Sequence, residues 1–117
     1  MLFKFPKDDK NFSWTSHVKG KMLQYRLSEQ KIKTVMKNPD RKEEGIAPNT
    51  SAVMKRNDTP KRKEEIWVMF QTAGVRVKGL GVRKKIISAW RYPGISPEGK
   101  KIPIPEDILE ELEKNLE

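Results

Sequence analysis

The chain reads as an α+β domain: two N-terminal helices packed on one face of a small antiparallel sheet, plus a C-terminal helix. Three observations predict this. Apolar residues recur three and four apart over residues 14–37 and again after Glu106, which is the helical period. Between these stretches lie apolar, β-branched and aromatic runs bounded by proline and glycine, which is strand composition. Helices gathered at the two ends of a run of strands, rather than alternating with them, indicate α+β.

Residues 1–13 mix aromatic and charged side chains, and Leu2, Phe3 and Phe5 suggest a short edge strand. Thr15 or Ser16 caps a helix running to about Arg26, with Trp14, Val18, Met22 and Tyr25 as its apolar stripe. His17 and Lys21 are one turn apart and share the face beside that stripe. Gly20 weakens this helix by ~1 kcal/mol relative to alanine, and its lack of a side chain would permit close packing. Ser28 caps a second helix that buries Ile32, Val35 and Met36 and stops at Asn38-Pro39. The two helices form a hairpin turning near Leu27.

Residues 40–50 read as a connector rich in breakers, followed by a strand at about 51–56 and a loop at 57–63 that carries Lys61, Arg62 and Lys63. Residues 66–70 are apolar throughout, so this strand is central. Residues 72–83 fit either a long twisted hairpin or a loop. The principal strand runs from Lys84 to Tyr92, and Pro93-Gly94 closes it. Residues 95–105 form a Pro-rich connector. The last helix, 106–117, opens with Pro105 suited to its first position and Glu106 and Asp107 suited to its positive end. Ile108, Leu109, Leu112 and Leu116 are its stripe. The whole, 1–117, is one domain with its core in 14–94.

Composition narrows the function. Cysteine is absent, which excludes disulfides and thiolate metal sites. A lone histidine argues against zinc, so neither a metal nor another cofactor is expected. No run is long enough to span a membrane, no signal peptide is evident, and a cytoplasmic location is the default. The net charge is +9, yet residues 106–117 hold six acids and one lysine, a net of −5, which leaves +14 on residues 1–105. Such a surface fits a polyanion, RNA foremost, or an acidic protein; solubility alone is the plainer explanation.

Several motifs together resemble a known group. His17 and Lys21-Met22 on a first helix, Leu27-Ser28-Glu29 opening a second and Asn38-Pro39 ending it resemble a family of small bacterial domains of unknown function, similar to BrnT and RelE toxins of toxin–antitoxin systems. Ile86-Ile87-Ser88-Ala89 followed by Trp90-Arg91 resembles the last core strand of BrnT-like toxins. The resemblance spans roughly residues 15–94. Trp90 stands where that pattern tends to have the first of two basic residues, and the acidic helix replaces a short tail. The resemblance implies a metal-independent endoribonuclease silenced by a cognate antitoxin.

That chemistry needs a base for the 2′-hydroxyl, cations for the pentavalent phosphate and an acid for the 5′-oxygen. Arg91 is the candidate phosphate ligand, because guanidinium grips phosphate through paired bonds; a surface ion pair is the alternative. His17 is the candidate base or acid, unless it simply fastens its helix to the sheet. Lys21 joins it as a phosphate ligand or a solvated side chain. Tyr92 is a candidate for proton transfer or stacking. Trp90 could stack on a base, although core packing is the commoner fate of an aromatic in an apolar strand. Lys61, Arg62, Lys63, Lys84 and Lys85 suit nonspecific phosphate contacts. Alternation sets Arg91 opposite Trp90 and Tyr92, so a twist or bulge must intervene for all three to line one cleft.

Two other functions fit the same features: a noncatalytic nucleic-acid-binding module and a domain that docks an acidic protein. The acidic helix could cover the basic surface in cis, or merely pack its apolar stripe into the core.

Overall fold

The computed structural model describes residues 4–46, 49–72 and 83–115. Its elements are β1 (Phe12–Trp14), α1 (Ser16–Tyr25), α2 (Glu29–Lys37), β2 (Arg41–Glu44), β3 (Thr50–Arg56), β4 (Glu64–Thr72), β5 (Lys84–Pro93) and α3 (Glu106–Asn115). The strands form one five-stranded sheet in the order β1-β5-β4-β3-β2. The fold is α+β.

The sheet is mixed, not wholly antiparallel. β1 pairs parallel with β5, Phe12 opposite Lys84 and Trp14 opposite Ile86, while the other pairings are antiparallel. Aspartates set up this edge. Asp9 accepts from the backbone N–H of Asn11 and Phe12, and Asp8 accepts from that of Trp14, which turns the chain onto β5. Trp14 is thus a buried strand residue and not the start of the helix. Of the residues expected in an edge strand, Leu2 and Phe3 lie outside the described residues, and Phe5 is exposed and outside any strand.

Local sequence explains both N-terminal helices. The Thr15 hydroxyl accepts from the Val18 N–H, and the Ser28 hydroxyl accepts from that of Lys31, each satisfying an orphan donor of a first turn. α1 ends at Arg26, which takes the left-handed conformation at φ 55°. The N–H of Leu27 then bonds back to the Met22 carbonyl, reversing the chain into α2. Gly20 is not needed for close packing: a Cβ there would meet nothing within 4 Å.

β2 was not expected; it lies inside the 40–50 connector and carries the sequence RKEE. As the sheet's edge it has one neighbour, β3, and charge there discourages unwanted strand pairing. Gly45 turns this hairpin where a Cβ would collide with the Thr50 side chain. β4 extends beyond its apolar stretch at both ends. Residues 73–82, the uncertain part of 72–83, lie outside the described residues.

Two apolar clusters sandwich the sheet. On one face Val18 and Met22 of α1, with Ile32 and Val35 of α2, pack on Val53, Ile66, Val68, Ile86 and Ala89. On the other, Ile108 and Leu112 of α3 pack on Ala52, Met54, Trp67, Met69, Ile87 and Trp90. α3 starts at Glu106, so Pro105 precedes its first turn, and the Pro105 carbonyl accepts from the Leu109 N–H. Among the described residues, no helix is long and apolar enough to cross a membrane.

Candidate functional site

The site begins with an irregularity in β5. Phe70 pairs with Ile86 but Met69 pairs with Ser88, so Ile87 is an extra residue, a β-bulge. The bulge turns Ile87 and Ser88 to the same side, that of α3, before alternation resumes at Ala89. α1 lies along this part of β5. The Thr15 N–H bonds to the Ile86 carbonyl and the Thr15 hydroxyl donates to that of Ile87.

Two residues on, His17 meets the bulge. Its Nε2 lies 2.8 Å from the Ser88 hydroxyl. Its Nδ1 lies 3.0 Å from Glu111 Oε2, close enough for an ion pair when the ring is protonated, but off the line that a hydrogen bond requires. The imidazole is 8% exposed, Ser88 is fully buried, and the Glu111 side chain is half exposed. A cleft of about 260 Å³ opens beside the ring, with Ser16, Gln71, Lys85 and Leu112 also in its walls.

Lys21, on the same face of α1, is also largely buried. Its ammonium donates to Asp107 Oδ2 at 2.8 Å and to Gln24 Oε1 at 3.1 Å. The hydrogen bond from Lys21 is the main influence holding the Asp107 carboxyl below its ordinary range, against a smaller opposing effect of burial. Nearby, the Tyr25 phenol is pushed up, first by burial and then by the negative charge of Asp107.

Arg91 lies elsewhere. Its Nε donates to the Tyr25 carbonyl at 2.7 Å, one terminal nitrogen to the Arg26 carbonyl at 3.2 Å, and the other to Glu64 at 2.8 Å. The guanidinium therefore clasps the turn between α1 and α2. The extra residue, Ile87, precedes Arg91 by four residues, so the bulge leaves Arg91 opposite Trp90 and Tyr92. Trp90 is fully buried and stacked on Trp67, ring centroids 6.1 Å apart and 7° from parallel, with no face presented to a base. Tyr92 is half-buried at the margin of that cluster.

The five lysines and arginines expected at phosphate do not gather in one patch. Lys61, Arg62 and Lys63 are exposed on the β3–β4 turn, which the Gly94 N–H ties to the far end of β5 through the Lys63 carbonyl. Lys84 and Lys85 open β5, ~25 Å away by strand rise. Lys84 lies over the Phe70 ring at 5.4 Å, and Lys85 borders the cleft beside His17. The structure thus brings together His17 and Lys85 at one cleft, with Lys21 a turn along the same helix face. It separates Arg91, Trp90 and the 61–63 loop from them.

A second polar cluster, missed in the sequence, fixes the connector to α3. Glu65 is 1% exposed. It accepts from Trp67 Nε1, Arg56, and both the N–H and hydroxyl of Ser96. Arg41 donates to the Ser96 hydroxyl and to the Ser96 and Pro97 carbonyls, and its guanidinium lies 5.3 Å from the Trp67 ring. Adjacent glutamates here have different partners because alternation sends them to opposite faces: Glu64 to Arg91, Glu65 to this cluster.

Among the described residues, no three acidic or histidine side chains gather as metal ligands would. No family model, curated protein or solved structure matches the chain.

Proposed function

We propose that this domain acts on RNA as a toxin-like, metal-independent endoribonuclease of the BrnT and RelE type, with its site on the His17–Lys21 face of α1. The observation that carries the reading is the His17 imidazole: largely buried, oriented by a buried serine hydroxyl, open to a cleft, and one turn from a buried ammonium. A ring held through one nitrogen is fixed in orientation for proton transfer at the other, which is how a general base is positioned; here that second nitrogen, Nδ1, faces Glu111. Lys21 and Lys85 supply positive charge for the phosphate undergoing attack, and Tyr92 and Arg91 take supporting structural places. The strong basicity of residues 1–105 supplies the attraction for RNA. A cognate acidic antitoxin is the matching protein partner.

The test is incubation of end-labelled single-stranded RNA with the protein in excess EDTA, alongside His17→Ala and Lys21→Ala. Cleavage by the wild type that is lost in both variants is the expected result. Cleavage unchanged in both means that the site lies elsewhere.

A noncatalytic nucleic-acid-binding module is the second reading, favoured by one observation: Lys21 and Arg91 already have carboxylate partners within the fold. It predicts a salt-sensitive mobility shift with intact RNA.

A further inference from the structure

α3 places carboxylates where a polyanion would have to bind. Asp107 and Glu111 are four residues apart, hence on one helix face at ~6 Å along its axis, and they meet Lys21 and His17, which share the same spacing on α1. We propose that α3 is a displaceable acidic cover, and that the phosphate backbone of RNA competes with it for Lys21 and His17. This rests on the reading of those two residues as the RNA-facing groups.

Three features make the cover removable. Its buried anchors, among the described residues, are only Ile108 and Leu112. Its two acidic contacts are about half exposed, at 55% and 47%, so solvent and salt already weaken them. The preceding chain stays pinned at Ser96 and Pro97 by Arg41 and Glu65, and Ile102 and Ile104 pack half-buried on the same apolar cluster as α3, so residues 98–105 hold a lifted helix close. A lifted α3 therefore stays near and returns by intramolecular competition. Release of Asp107 and Glu111 frees the Lys21 ammonium and uncovers His17 Nδ1, while the Ser88 hydroxyl still holds Nε2.

The experiment uses the full chain and a fluorescein-labelled oligouridylate, read by anisotropy at constant ionic strength. The variant Asp107→Asn/Glu111→Gln keeps the shape and the apolar anchors of α3 but removes the competing charge. It should bind about tenfold more tightly than the wild type, the combined size of two part-exposed ion pairs. In the wild type, saturating oligouridylate should speed hydrogen exchange at the α3 amides, a readout independent of how the variant folds. Unchanged α3 exchange in a wild type that binds RNA overturns the cover and leaves the RNA reading standing. No binding by either protein removes both.

Discussion

His17 and Ser88 are 71 residues apart in the chain and 2.8 Å apart in the fold. The contact exists because β5 carries one residue more than its partner strand requires, which turns Ser88 to the α3 side of the sheet, where His17 reaches it. The Ser88→Ala variant should leave His17 Nε2 without this partner and cost about 1–2 kcal/mol, measured by urea denaturation. If His17 is the base, the pH profile of RNA cleavage should also shift, and Ser88→Thr should restore it in part.

Gly20 is exposed in the middle of α1, and space surrounds the position of its missing side chain. Gly20→Ala should therefore stabilise the domain by about 0.5–1 kcal/mol, seen as a higher thermal midpoint. A lower midpoint would show that the helix needs the glycine for a reason other than space.

Arg91→Ala should weaken the fold before it affects any chemistry. It leaves the buried Glu64 without its arginine partner and frees two carbonyls at the α1–α2 turn, at a cost of about 2–3 kcal/mol. Denaturant midpoints for Arg91→Ala and Arg91→Lys check this. A stable Arg91→Ala protein that loses RNA binding would return Arg91 to the site.

The depressed Asp107 carboxyl gives the attachment of α3 a pH dependence. Because its folded pKa lies below the unfolded one, its contribution is present above the ordinary carboxylate range and is lost as pH falls through the lower folded value. The stability difference between wild type and Asp107→Asn should hold near neutrality and vanish in acid below that value. A difference that grows on acidification contradicts the Lys21 pairing.

Glu65→Ala should be among the most damaging single changes, about 3 kcal/mol, since it leaves Trp67 Nε1 and the Ser96 N–H without their acceptor in a buried place and removes one carboxylate partner of Arg56. Thermal melting followed by tryptophan fluorescence would report it, because Trp67 is the indole that loses its acceptor.

The helices were legible because their signals are local. Thr15 and Ser28 act as the caps their positions suggest, and Asn38-Pro39 stops α2. The apolar runs of β4 and β5 announce buried strands. β2 was not legible: its four residues are all charged, and its strand state depends on pairing with β3. Nor was the parallel edge, since nothing local in Phe12–Trp14 points to a partner at Lys84–Ile86. At the site, the shared face of His17 and Lys21 follows from helical spacing, but its completion by Ser88 needs a bulge that alternation does not reveal. Arg91 was misleading for a related reason: charge at the end of a core strand suggests a ligand, whereas here it meets the carbonyls of a helix turn.

The parallel pairing of β1 with β5 also constrains the order of folding. Phe12–Trp14 cannot take their places until Lys84–Ile86 are available, and α1 needs the bulge at Ile87 and Ser88 beside it. The antiparallel β2–β3–β4 meander, by contrast, can form from neighbouring sequence. Contacts of such long sequence separation slow folding. During synthesis β1 and α1 should emerge before β5 and dock only after it, and the His17–Lys21 face of α1 would remain unassembled until β5 has been made.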